Sequence, residues 1–114
     1  MTRLSVICEQ WDVVVVPFPF TERPGAKRRP AAVLSKQRFN EHGHTVLLMI
    51  TTKAHQPWPG DSDIEDHRSA GLHSACLVRL KAFTLDNRLI LKRLGALSAL
   101  DRRHVADEAR QHLL

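Results

Sequence analysis

"VVVVPFPFTERPGAKRRPAAVLS", Val13 to Ser35, decides how this chain is read. An unbroken valine run ends at Pro17, a polar stretch turns at Pro24-Gly25, and Lys27, Arg28 and Arg29 follow in succession. A second apolar run then begins at Pro30. β-Branched residues that do not alternate with polar ones predict a strand over 11–18, buried on both faces. Pro-Gly predicts the turn. "RPAAVLS" (29–35) predicts a second strand. Pro30 is confined to its start or to a sheet edge, because proline has no N–H for the ladder. Three consecutive cations thus sit on the loop between two core strands.

Working outward, "NEHGH" predicts a turn and "TVLLMITT" (45–52) a third strand. The next 23 residues, 53–75, hold two prolines and two glycines. A loop of that length in a small domain is functional or hides a short strand, for which "DSDIED" (61–66) is the place. "CLVRLKAFTL" (76–85) predicts a fourth long strand. In it Val78, Leu80 and Ala82 alternate with Arg79, Lys81 and Phe83, which implies one wet face. "RLILKRLG" (88–95) predicts a fifth. Ser98 suits a helix N-cap, with Asp101 three residues on as the acid of a capping box. Leu100, Val105, Ala109 and Leu113 recur near helical spacing. The expected class is mainly β with a C-terminal helix: a small, curled sheet of about five antiparallel strands.

The chain has 114 residues, which predicts one domain over 1–114. That is long enough to bury a core without disulfides or metal. A net charge of +5, with seven histidines besides, suits a polyanionic partner and equally a plain basic surface. Cys8 and Cys76 lack CxxC spacing and read as reduced, buried thiols. The N-terminal apolar stretch is too short for a signal sequence, and no run approaches the ~20 apolar residues of a membrane span. A cytoplasmic protein is expected. "HGH" (42–44) and "DSDIEDH" (61–67) hold ligand-type residues without zinc or calcium spacing, so neither metal nor cofactor is expected. No phosphate-cradling glycine motif is present.

The series "WDVVVVPFPFTERPGAKRRPAAVLS", "MITTK", "PWPGD", "AGL", "TLD" and "RLGALS" resembles the MazF/PemK family of toxins from type II toxin–antitoxin pairs. Order and spacing agree over roughly residues 10 to 113. The resemblance implies a small SH3-like barrel of the MazF/Kid/CcdB type with a C-terminal helix, assembled as a homodimer. It implies an mRNA interferase, a metal-independent endoribonuclease that cuts single-stranded RNA at short sequences. It also implies a cognate antitoxin that covers the RNA groove. The family's catalytic Arg falls on Arg29 and its catalytic Thr on Thr51. This chain departs from the family in two places. Trp11 stands where the family has Gly, and the short loop before Arg29 lacks the Glu that some members carry.

The chemistry suits these residues. RNA is cut when its 2′-OH attacks the adjacent phosphate, so an enzyme must align the backbone and stabilise charge gathering on phosphorus. Arg29 offers a planar, permanently charged fork for two phosphate oxygens. Thr51 offers a hydroxyl to orient one. Lys27, Arg28, Thr52 and Lys53 are candidates for RNA-backbone contact, and Trp58 for stacking on an unpaired base. Trp58 reads equally as a loop anchor. Glu22 and Asp61 are the candidate proton acceptors, with Asp63 nearby; each also reads as an ordinary surface carboxylate. Two other classes stay open: a CcdB-like toxin that binds DNA gyrase without catalysis, and a nuclease-dead RNA-binding module of the same fold.

Overall fold

Val13 to Val16 are each no more than 9% exposed, because their strand has neighbours on both edges and apolar cover on both faces. The structure is a computed structural model that describes residues 7–19, 25–52 and 56–114. Its strands are β1 (Asp12–Phe18), β2 (Lys27–Val33), β3 (His44–Thr52), β4 (Ser62–Asp63), β5 (Cys76–Asp86) and β6 (Lys92–Ala96). A one-turn helix α1 (Gln37–Asn40) links β2 to β3, and α2 (Ala99–His112) closes the chain. The strand order is β4-β5-β3-β2-β1-β6, and every pairing is antiparallel. The fold is therefore mainly β, a curled antiparallel half-barrel with a C-terminal helix, as the pattern predicts. "DSDIED" does hold the short strand β4.

The two faces of the sheet bury two separate cores. Val13, Ala32, Leu48, Ile50 and Val78 pack with Leu97, Val105 and Ala109 beneath α2. Val14, Val16, Ala31, Val33 and Leu47 pack on the other face with Cys8, Leu85 and Ile90. Strand β5 serves both in turn. The register shifts between Leu48 and Met49 of β3, leaving Leu80 and Lys81 as extra residues on β5. Before this bulge both faces are covered, with Cys76, Leu77 and Val78 buried and Arg79 half-buried; beyond it Leu85 is buried and Phe83 half-buried on the odd face, while Ala82 and Thr84 on the even face are exposed. The wet face expected along Arg79, Lys81 and Phe83 thus lies, beyond the bulge, on the even side, because a bulge adds local twist and redirects the strand.

Four buried polar residues pin the loops. Asp101 is fully buried, and Ser98 caps the helix by accepting from the Asp101 N–H at 3.1 Å. Asp101 does not reach back to complete a capping box. Its two carboxylate oxygens accept from the Glu65 and Asp66 N–H groups, at 2.9 and 3.0 Å, and so tie the β4 loop to the helix. At the opposite end, Asn40 donates to the Cys8 and Ser35 carbonyls, Asn87 donates to the Asn40 carbonyl, and Thr45 donates to Asn87. Buried polar groups need such partners, since each one left unpaired costs about 1–3 kcal/mol. Asp101→Ala should therefore cost about 2 kcal/mol in urea unfolding and Asp101→Asn about half of that, because asparagine keeps one acceptor.

The helix stripe also differs from its reading. Asp101, Val105 and Ala109 form the buried line, while Leu100 and Leu113 are each 47% exposed. The strand expected over 88–95 begins only at Lys92, because a 3-10 turn occupies Asn87–Leu89, its Arg88 N–H donating to the Asp86 carboxylate. Burial pushes the Cys8 thiol up to about 11, helped by the nearby Asp12 charge and opposed by Arg93. Cys8 and Cys76 are both free and buried, as core thiols should be. No described helix is long and apolar enough to cross a membrane.

Candidate active site

Pro30 explains the opening at this end of the sheet. Hydrogen-bonded pairing of β2 with β3 runs from Val33↔Leu47 to Ala31↔Met49 and stops there. The next residue of β2 is Pro30, which has no N–H to continue the ladder. Beyond it β2 stays paired with β1 alone, through Val16↔Arg29 and Phe18↔Lys27. The ends of β2 and β3 therefore flank an unladdered gap, with Arg29 on one side and Thr51 on the other.

Strand alternation fixes what faces this gap. Arg29 lies on the face of Ala31 and Val33, and Thr51 on the face of Met49 and Leu47, which pair with those two alanine and valine residues. Continuing the same register sets Arg29 opposite Thr51. Arg79 pairs with Met49, so it shares the face as well. Further along, this face buries the second core. At the gap its apolar residues give way to Phe18, Lys27, Arg29, Thr51 and Arg79. Lys27 and Arg29 are exposed, and Thr51 is half-buried. The Arg29 guanidinium lies 6.0 Å from the Phe18 ring centroid, a loose stacking contact that leaves its donors open. Arg29 forms no ion pair among the described residues.

The three cations alternate along β2. Lys27 and Arg29 share a face, whereas Arg28, opposite Pro17, belongs to the other. Arg28 and Arg29 both border a cleft of about 650 Å³, with Pro30, Leu72, His73 and Lys92. Thr52 is exposed at the end of β3, opposite Cys76. Glu22 and Lys53 lie outside the described residues.

Asp61 is engaged elsewhere. Its Oδ1 accepts from Arg79 Nε at 3.1 Å, and its Oδ2 accepts from Arg79 Nη2 at 3.0 Å and from the Trp58 N–H at 2.9 Å. Burial pushes its pKa up, but the Arg79 and Trp58 hydrogen bonds with the Arg79 charge outweigh this and hold it below the usual carboxylate range. A carboxylate so fully bonded and so acidic is a weak proton acceptor. Asp61 and Thr51 lie on different elements, and the arrangement joins Asp61 to Trp58 rather than to Arg29. Arg79 and Lys81 also gather at Trp58, where the alternation in "VRLK" by itself implies only a solvated face.

A family model described as "PemK-like, MazF-like toxin of type II toxin-antitoxin system" matches residues 9–113. The chain belongs to the MazF/PemK toxin family. Solved MazF structures share its fold. The MazE-MazF complex from Deinococcus radiodurans is 22% identical with a TM-score of 0.70, covering 93% of this chain and 92% of that one. The Mycobacterium tuberculosis toxin MazF-mt6 is 16% identical with a TM-score of 0.71, covering 88% and 93%. A mycobacterial endoribonuclease in complex with its cognate antitoxin is 16% identical with a TM-score of 0.71, covering 92% and 91%. At these identities the likeness is one of fold. Comparison with curated proteins returned no match. Against the MazF/PemK pattern, Trp11 is the substitution with a visible consequence: its φ is +75°, the left-handed region that glycine occupies without strain.

Proposed function

We propose that this MazF/PemK toxin is a cytoplasmic, metal-independent endoribonuclease that cuts single-stranded RNA at a short sequence. What supports the reading is that strand alternation puts Arg29 and Thr51 on one face, at the ends of β2 and β3 that flank the gap beyond Pro30. Arg29 holds two oxygens of the scissile phosphate and stabilises the charge that builds as the 2′-oxygen attacks phosphorus. Thr51 donates a hydrogen bond to a phosphate oxygen and helps to set the attack in line. The 2′-oxygen–phosphorus bond forms and the phosphorus–5′-oxygen bond breaks. One fragment then ends in a 2′,3′-cyclic phosphate and the other begins with a 5′-hydroxyl. Lys27, Thr52 and Lys53 draw the RNA backbone to the site. The toxin acts as a homodimer and is held inactive by a cognate antitoxin laid over the same basic face.

The test is cleavage of a long unstructured RNA by purified, antitoxin-free protein in EDTA, with both fragment ends mapped. Cuts at one short sequence that leave a cyclic phosphate or its 3′-phosphate product are expected. Intact RNA after prolonged incubation with folded protein would overturn the enzyme reading, and gyrase binding would then be tested.

A further inference from the structure

We infer that the Trp58 ring, mounted on the Asp61–Arg79 pair and flanked by Lys81, is a stacking platform for one unpaired base of the RNA. Lys81 takes a phosphate beside that base, and Asp61 and Arg79 are positioning residues. The inference rests on the RNA-cleaving reading above and adds to it a specificity subsite.

The loop that carries Trp58 is fastened at every turn. Asp61 accepts from the Trp58 N–H and from Nε and Nη2 along one edge of the Arg79 guanidinium, and Arg79 Nη2 also donates to the Gln56 carbonyl at 3.0 Å. The side chains of Arg79 and Asp61 are only 14% and 17% exposed. Gly60 sits at φ +79°, and a Cβ there would lie 2.2 Å from Leu80 Cδ1, so the turn is pressed against β5. Despite this anchoring Trp58 as a residue is 41% exposed. An aromatic that served only to anchor its loop would bury its ring. Here the loop is held by polar contacts and the ring is presented to solvent.

The charges around the ring specify the ligand. Lys81 Nζ lies 4.5 Å from the ring centroid and Arg79 Cζ 5.9 Å. Arg79 is balanced by Asp61. Lys81 is exposed and forms no ion pair among the described residues. A part-exposed π surface with a lysine over it that has no carboxylate partner among the described residues matches a nucleobase with its phosphate, the lysine turning from ring to phosphate as the base stacks. Stacking of this kind tolerates any base. The position fits the reaction. Arg79 pairs with Met49, two residues before Thr51 on the same face, a diagonal of roughly 7–8 Å between neighbouring strands. A base on Trp58 therefore belongs to a nucleotide near the reacting phosphate, and it sets which phosphate reaches Arg29.

The test uses the fact that the chain has two tryptophans, so Trp11→Phe leaves Trp58 as the sole emitter. The probe is a fully 2′-O-methylated single-stranded 12-mer of mixed sequence, which lacks the attacking hydroxyl. Its binding is followed separately by anisotropy of a labelled copy. Binding should quench Trp58 emission. Trp58→Phe should bind within about threefold of the parent, and Trp58→Leu about tenfold more weakly. Lys81→Ala should lower the salt dependence by about one released ion. Asp61→Asn should reduce the quench and raise KM for cleavable RNA while kcat holds. An oligonucleotide that binds with no change in Trp58 emission, and equally well to Trp58→Leu, would overturn the platform and leave the nuclease reading standing. Failure of the parent to bind any oligonucleotide would overturn both. The quench is read in the Trp11→Phe protein with the platform intact, so the result does not hinge on whether the platform variants fold.

Discussion

Arg29→Ala is expected to slow RNA cleavage by about a thousandfold or more in single-turnover assays, and to leave the thermal midpoint unchanged. The two halves of this expectation have separate causes. Arg29 is exposed and lies over a part-exposed Phe18 ring, so its removal creates no cavity and orphans no buried partner among the described residues. Substitutions at such positions usually stay within about 0.5 kcal/mol. The chemical cost is large because charge builds on the phosphate oxygens in the transition state, and loss of one well-placed donor there costs about 10² to 10³ in rate. Arg29 supplies a charge and two donors. Arg29→Lys should recover only part of the loss, since an ammonium keeps the charge without the fork. Thr51→Ala should cost less, about tenfold to a hundredfold, because it removes one neutral hydrogen bond. Cleavage by Arg29→Ala at the parent rate would remove Arg29 from the reaction.

Trp11→Ala should destabilise the fold by about 3 kcal/mol, and Trp11→Gly by about 1 kcal/mol less, which inverts the usual ranking of alanine and glycine. The half-buried indole packs on the core beneath α2, and that contact is lost in both variants. The backbone at residue 11 stays left-handed, because the Trp11 N–H donates to the Val33 carbonyl at 2.7 Å and the Trp11 carbonyl accepts from Leu97 at 2.9 Å. An L-residue held there costs about 1–2 kcal/mol, which alanine retains and glycine sheds, less the extra chain entropy of glycine. Urea unfolding of the three proteins decides it. A glycine variant less stable than the alanine one would mean that the ring, and not the backbone, sets residue 11. Residue 11 lies at the far end of β1 from Phe18 and Arg29, so cleavage by the folded variants should match the parent.

Much of this molecule was legible in its residues, for local reasons. Val13 to Val16 and "TVLLMITT" could only be buried strands, because an uninterrupted apolar run has no face to give to water. Ser98 marked its helix start through a contact three residues away. Pro30 announced a limit on sheet pairing, since the missing N–H is a property of the residue itself. Other readings failed where a distant partner intervened. Asp101 looked like half of a capping box, but its oxygens are taken by Glu65 and Asp66 N–H groups. Leu100 and Leu113 looked like core because they fell near helical spacing. The line that meets the sheet is instead Asp101, Val105 and Ala109. Asp61 looked like a free carboxylate until Arg79 was found against it.

By itself, then, the sequence determined the elements: strands where β-branched residues cluster, turns where Pro and Gly fall, a capped helix at the end, and the candidate pair Arg29 and Thr51 through family resemblance. Each of these depends on residues within a few positions of one another or on an order of motifs shared with the family. Only the tertiary structure decided that Arg29, Thr51 and Arg79 share one face while Arg28 turns to the other. That depends on cross-strand register, Val16↔Arg29, Ala31↔Met49 and Met49↔Arg79, which joins residues up to 30 positions apart. A slip of one residue in any of these ladders would send the side chains to opposite faces. The register is held by the two cores, whose packing no local pattern can express.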